Sequence, residues 1–288
     1  MLRGEIKLQS NFFKAIKTKL RGKNLAEVPF FPYKAGSSCY ILPKIPTTSE
    51  TVVPPRHQWI SRKYGNTTEE YLASGKKDLQ QMCDILSKSD VDIESLGNIL
   101  DFGCGNGRMT RWLEDLAKDR EVWGTDINAG RVFWCKQNLN PLLRFLVTTT
   151  IPHLPFKDNH FGFVYAGSVF SHIDDLADTW FAELARVIRP GGKLFVTVHL
   201  KSDLPLLQDK YPNSGLSKNL RRFPEYEEFR NSDFNMFTIG RSSYSYVFYD
   251  LDFLVRSVKP FFRVLSVTKE VRVYQNALLL ERVGGIDN

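Results

Sequence analysis

The sequence predicts an α/β fold: a seven-stranded, mostly parallel sheet with helices on both faces and an antiparallel hairpin at the C-terminus. Three observations carry this. From residue 98 onward, short apolar runs alternate with stretches of helical period, the pattern of a parallel sheet crossed by helices. The first run, NILDFG, ends in a glycine-rich turn. The last two, RVLSVTKEV and YQNALLLER, are separated by only two residues, a link that permits only antiparallel pairing.

Residues 1–95 precede the alternation and read as a basic tail, an irregular arm and a helical cap. Residues 1–23 hold seven basic side chains and one acid, Glu5, so this segment carries most of the net charge of +7. Ile6, Phe13, Ile16 and Leu20 are interleaved with its lysines, the pattern of an amphipathic helix. Such a segment suits an anionic membrane surface or an acidic partner. The plainer reading, a solvated or loosely packed helix, is preferred. Residues 24–66 are rich in proline and read as a wrapping arm or linker. Thr67 followed by Glu70 is a capping-box pattern, and Leu72, Leu79, Met82 and Leu86 follow at near-helical spacing. This predicts helix over 67–89, with a break at Gly75.

Residues 96–288 form the core. NILDFG is a strand, GRMTRWLEDLAKD is helical in period, and EVWGTD is a strand ending in an acid. NAGRVFWCKQNL is a helix, and LRFLVTT and FGFVYAGS are strands. LADTWFAELARVIRP is a helix before the strand GKLFVTVHL. Residues 250–261 give one more helix before the hairpin. Residues 201–246 fall outside the alternation and hold eight aromatics. A long connection at a strand end is functional or disordered, and its aromatic content argues against disorder. Those aromatics read equally as the wall of an acceptor pocket or as plain core.

Composition excludes several classes. With 42% hydrophobic and 25% charged residues, the chain is globular in composition. No apolar run approaches the ~20 residues of a membrane helix, and no secretory signal is expected. The four cysteines are scattered with no CxxC pair, which argues against a zinc site or a disulfide framework. The expected location is cytoplasmic. Outside the tail the charge is nearly balanced, so nucleic acid is disfavoured as a partner.

The informative stretch is Leu100-Asp101-Phe102-Gly103-Cys104-Gly105-Asn106-Gly107-Arg108. Glycines there allow a sharp turn and close approach of a ligand to bare peptide groups. A following helix N-terminus would suit an anionic group. Asp126 ends the next strand, where an acid can accept both hydroxyls of a ribose. A dinucleotide fingerprint needs a glycine at 108, where this chain has Arg108. That tilts against a nicotinamide-dependent oxidoreductase.

ILDFGCGNGR resembles the first motif of class I S-adenosylmethionine-dependent methyltransferases, and TDIN resembles their second. LPFKDNHFGFVYAGSVFSHI is similar to the third and fourth motifs, and ELARVIRPGGKLFVTVH to the segment around the fifth strand. The resemblance covers roughly residues 51–283. It implies a Rossmann-like fold and S-adenosyl-L-methionine as cofactor. It implies that Gly103, Cys104 and Gly105 pack against the methionine part, that Asp126 holds the ribose and that Ile127 lies on the adenine. Thr150 and Ile151 would edge the adenine, and Ala166, Gly167 and Ser168 would face the sulfonium. One departure is Gly162, where the family usually has an acid. The nearest likeness within the family is to enzymes acting on a small-molecule or glycan acceptor. No D/N-P-P-Y/F motif and no Pro-Cys pair point to a nucleic-acid base.

Methyl transfer from a sulfonium is an in-line displacement, governed by orientation. A hydroxyl acceptor also benefits from a general base. His172 and His199 fall at C-terminal strand ends, the ligand face of such sheets, and are the candidate bases, though each reads equally as a hydrogen-bonded structural histidine. His153 and His160 read as structural. Asp174 and Asp175 read as the start of a helix. A non-catalytic binding module on the same fold is the alternative function.

Overall fold

The computed structural model describes residues 52–59, 65–240, 245–271 and 274–284. The tail at 1–23, most of the arm and Tyr244 lie outside the described residues.

Helix α1 spans Thr68–Ser87. Its N-terminus is the capping box read from the sequence: Glu70 N donates to Thr67 Oγ1 (3.2 Å), and the Glu70 carboxylate accepts from Thr67 N (3.3 Å). The helix runs unbroken through Gly75, contrary to expectation. Glycine sits there because α1 presses on the glycine loop: a Cβ would lie 2.1 Å from the Arg108 carbonyl oxygen.

The strands are β1 (Ile99–Phe102), β2 (Val122–Asp126), β3 (Leu143–Val147), β4 (Phe161–Ala166) and β5 (Ile188–Leu200). Then come β6 (Met236–Ile239), β7 (Tyr246–Tyr249), β8 (Phe262–Thr268) and β9 (Asn276–Arg282). Their order is β3-β2-β1-β4-β5-β7-β6, with β9 also paired to β5 and β8. The first five strands pair in parallel, and β8 and β9 form the antiparallel hairpin expected. The sheet has nine strands rather than seven, because the 201–246 block and the residues after it add the antiparallel pair β6–β7. This pair joins only the tip of β5, at His199 and Leu200.

Helix α2 (Ala129–Asn138) is capped by Asn128, whose side chain accepts from Arg131 N (3.1 Å). Helix α3 (Ala177–Val187) begins three residues beyond Asp174, and neither Asp174 nor Asp175 is its cap. Helix α4 (Asp203–Asp209), α5 (Gly215–Leu220) and α6 (Glu225–Phe229) fill the insert, and α7 (Leu251–Val258) precedes the hairpin. The helix expected from GRMTRWLEDLAKD is absent. Two 3-10 turns stand there, Thr110–Leu113 and Leu116–Lys118. Gly107 is still left-handed (φ +65°), so the loop runs on where a helix would have started.

Two apolar clusters cover the sheet faces. One is built from α3 and α7 side chains such as Phe181, Leu184 and Leu254. The other takes Met82 and Leu86 from α1 and Val132 and Cys135 from α2. A third cluster lies within the insert, around Leu207, Leu220, Tyr226 and Phe237. Most of the insert's aromatics are therefore core. Tyr246 alone of the seven described also lines the cleft discussed next. Gly162 has a packing cause too: a Cβ there would lie 1.3 Å from the Leu96 carbonyl oxygen, so no acid fits. No helix among the described residues is long and apolar enough to cross a membrane.

Candidate active site

The strand order reverses between β1 and β4, and ligands of open α/β sheets bind outside the C-terminal ends of strands at such a point. A cavity of about 1430 Å³ opens there. Its floor is the turn after β1. Gly103 is left-handed (φ +85°), and a Cβ on it would meet Val169 Cγ2 at 2.3 Å. Gly103 N and Cys104 N both donate to Thr125 O, at 2.7 and 2.9 Å. The loop is thereby folded over the end of β2.

Asp126 ends β2 and is buried. Its Oδ2 accepts from Gly105 N and its Oδ1 from Asn128 N, both at 2.8 Å. Each carboxylate oxygen keeps a further lone pair for a ligand hydroxyl. Asp101, which sequence reasoning did not single out, lies buried under the loop and accepts from Thr110 Oγ1 (2.6 Å) and Tyr165 O–H (2.8 Å). Burial, with Asp101 beside it, pushes the Tyr165 phenol well up. The only signal for Asp101 was an acid inside an apolar strand. Arg108 ties the loop to α1 through an ion pair with Asp78 and a bond to Ser74 Oγ (3.2 Å). Ser74 and Asp78 line the rim with Lys77.

Of the residues expected at the cofactor, Gly103, Asp126, Ile127, Thr150, Gly167 and Ser168 line the cavity. Cys104 and Ala166 are buried and do not line it, and Gly105 reaches it only through its bond to Asp126. Ile151 is 67% exposed and is not part of the lining, because the chain turns outward at Thr149–Ile151.

His172 and His199 both line the cavity. His172 Nδ1 is 2.7 Å from Ser245 O. A carbonyl can only accept, so Nδ1 carries the proton and Nε2 holds the lone pair of the neutral ring. Burial lowers the His172 pKa despite that bond, which keeps the ring neutral. His199 is 3% exposed and stacks on Phe248 (5.1 Å) and on Tyr274 (5.8 Å). His160 pairs with Glu121 (2.9 Å), and His153 is largely exposed near Glu183, both away from the cavity. Residues that sequence reasoning missed also line it: Asn219, which donates to Tyr246 Oη (2.9 Å), and Gln275. Among the described residues no group of three or more His, Cys, Asp or Glu could hold a metal.

Residues 100–196 match the family described as "Methyltransferase domain", a stretch that runs from β1 through most of β5. A malonyl-[acyl-carrier protein] O-methyltransferase of Hahella chejuensis is 24% identical over 161 residues, 56% of this chain and 56% of that protein. A ubiquinone/menaquinone biosynthesis C-methyltransferase of Neisseria meningitidis is 33% identical over 112 residues, 38% of this chain and 45% of that protein. The chain thus spans about half the length of these curated relatives. A crystal structure of a protein from Pyrococcus horikoshii OT3 shares the fold, with a TM-score of 0.56 at 21% identity, over 80% of this chain and all of the other.

Proposed function

We propose that this chain, a class I S-adenosylmethionine-dependent methyltransferase by its matched domain and its fold, methylates an oxygen or nitrogen of a small-molecule or glycan acceptor. The observation that carries this reading is the continuity of the cleft. Gly103, Asp126 and Ile127 line the same cavity as His172, Asn219 and Tyr246. Bound S-adenosylmethionine supplies a methyl group on a positive sulfur, open to in-line displacement. Asp126 accepts from the ribose hydroxyls while Gly105 N and Asn128 N hold its carboxylate in place. Gly103 lines the floor, where the methionine part would lie against its backbone, and its missing Cβ leaves room for Val169 beside the turn. From the insert, Leu216, Asn219 and Tyr246 wall the acceptor side. His172 takes the acceptor's proton at Nε2, with Ser245 O fixing the ring.

The two relatives are named an O- and a C-methyltransferase, so relatives differ in the atom they methylate. A neutral histidine at the acceptor side favours oxygen, because an alcohol needs a base and an amine does not. The test follows transfer of labelled methyl from S-adenosylmethionine into a metabolite extract. For His172→Ala the rate should fall by ~10²–10⁴-fold with cofactor affinity intact, the range for a general base. The wild-type rate should rise with pH through the lowered His172 pKa and level off above it. Near-normal rates in both His172→Ala and His199→Ala would remove the base, and with it the alcohol. Calorimetry with S-adenosylmethionine and with NAD separates this reading from a hydride-transfer enzyme.

A further inference from the structure

We propose that Gln275 is a positioning residue for the donor end of the cleft, holding Ser168 in place against the cofactor's sulfur. This rests on the reading of the cleft as an S-adenosylmethionine site. Gln275 lies in the connection from β8 to β9, is 5% exposed and lines the cavity. Its Oε1 accepts from Ser168 Oγ (2.7 Å) and from Thr197 Oγ1 (3.1 Å). Its Nε2 donates to Ser171 Oγ (3.4 Å). Ser168 N in turn donates to Thr197 Oγ1 (2.7 Å). One amide therefore stitches the residues just beyond β4 to β5, and reaches the residue before His172.

The backbone gives that stitching a purpose. Ser168 is left-handed (φ +62°), a conformation that a non-glycine residue keeps only where its surroundings impose it. The bonds from Ser168 N and Oγ supply such restraint, and both end on the Thr197–Gln275 pair. Two hydroxyls saturate Oε1, which fixes the orientation of the amide. A glutamate can replace Oε1 but not the donor to Ser171. A leucine replaces neither. Without the restraint, Ser168 relaxes and the contact with the sulfur end loosens. The ribose and adenine contacts, at Asp126 and Ile127, share no bond with this network.

The test uses the full chain and two probes, S-adenosylhomocysteine, which carries the sulfur and the amino-acid part, and adenosine, which lacks both. Binding is measured by calorimetry, with thermal unfolding beside it. Gln275→Leu should weaken S-adenosylhomocysteine by about tenfold, the loss of about one hydrogen bond, and leave adenosine within about twofold. Gln275→Glu should recover most of that loss. Ser168→Ala placed on Gln275→Leu should add little, because the two act through one another. Thr197→Val should give the same selective loss and serves if Gln275→Leu does not fold. Equal losses on both probes, no loss on either, or no recovery with glutamate would overturn the assignment while leaving the cofactor reading standing. A wild-type chain that binds neither probe would overturn the cofactor reading and this assignment with it.

Discussion

Asp126 holds the loop with its carboxylate, and in the proposed function the same carboxylate meets the ribose of the ligand. Gly105 N and Asn128 N pin its two oxygens, so the group that would meet a ribose is already oriented before anything binds. Asp126→Ala removes both the ribose acceptor and the partner of Gly105 N. Affinity for S-adenosylhomocysteine should fall by about 1.5–3 kcal/mol, the range for hydrogen bonds to a charged group. Unchanged affinity by calorimetry would take Asp126 out of the ribose site. This residue was legible in the sequence because one acid closes one strand, 21 positions after the glycine it holds. Gln275 was not legible. Its partners stand 78, 104 and 107 positions away, and no local pattern marks an amide whose bonds are all made across the sheet.

The elements were legible where a period or a cap wrote them. The capping box of α1, the acid at the end of β2 and the hairpin β8–β9 all follow from local chemistry. The stretch after the glycine loop was not, because GRMTRWLEDLAKD keeps a helical period while Gly107 holds the chain left-handed into two 3-10 turns. The pair β6–β7 was missed because each strand has four residues, too few to show an alternation. Gly75 is the sharpest case of tertiary contact overriding propensity. In a helix interior alanine is favoured over glycine by about 1 kcal/mol. Here a Cβ would meet Arg108 O at 2.1 Å, and that neighbour is backbone, which cannot step aside alone. Gly75→Ala should therefore lower stability, by about 1–3 kcal/mol as overpacked positions do. Thermal unfolding checks the sign. A stabilised variant would mean that α1 is not seated on the glycine loop.

At the scale of the whole molecule, the insert is a third core hung on the tip of one strand. β7 pairs with β5 at only two positions and donates from Val247 N to Ser171 O (2.9 Å), and side chains add further ties. Asp203, at the start of α4, is one such tie. It is 2% exposed and accepts from Leu200 N of β5 (2.7 Å) and from Asn276 Nδ2 of β9 (2.7 and 2.8 Å). Burial pushes its pKa up from 3.8 to about 6, against the pull of those donors, with Glu270 adding to the rise and Lys269 opposing it. The folded state thus binds this proton more tightly than the unfolded chain. The stability it contributes is full below the ordinary aspartate pKa and is lost as pH rises through about 6. At neutral pH the buried charge costs about 2–3 kcal/mol relative to the acid form. Asp203→Asn removes the titration while keeping one acceptor. Between pH 7 and pH 4.5 the wild type should therefore gain about 2 kcal/mol on this variant in urea unfolding, since other carboxylates such as Glu183 cancel in the difference. If the two proteins keep a constant gap across that range, Asp203 does not titrate there, and the tie to Leu200 N and Asn276 Nδ2 is made by the same protonation state at both pH values.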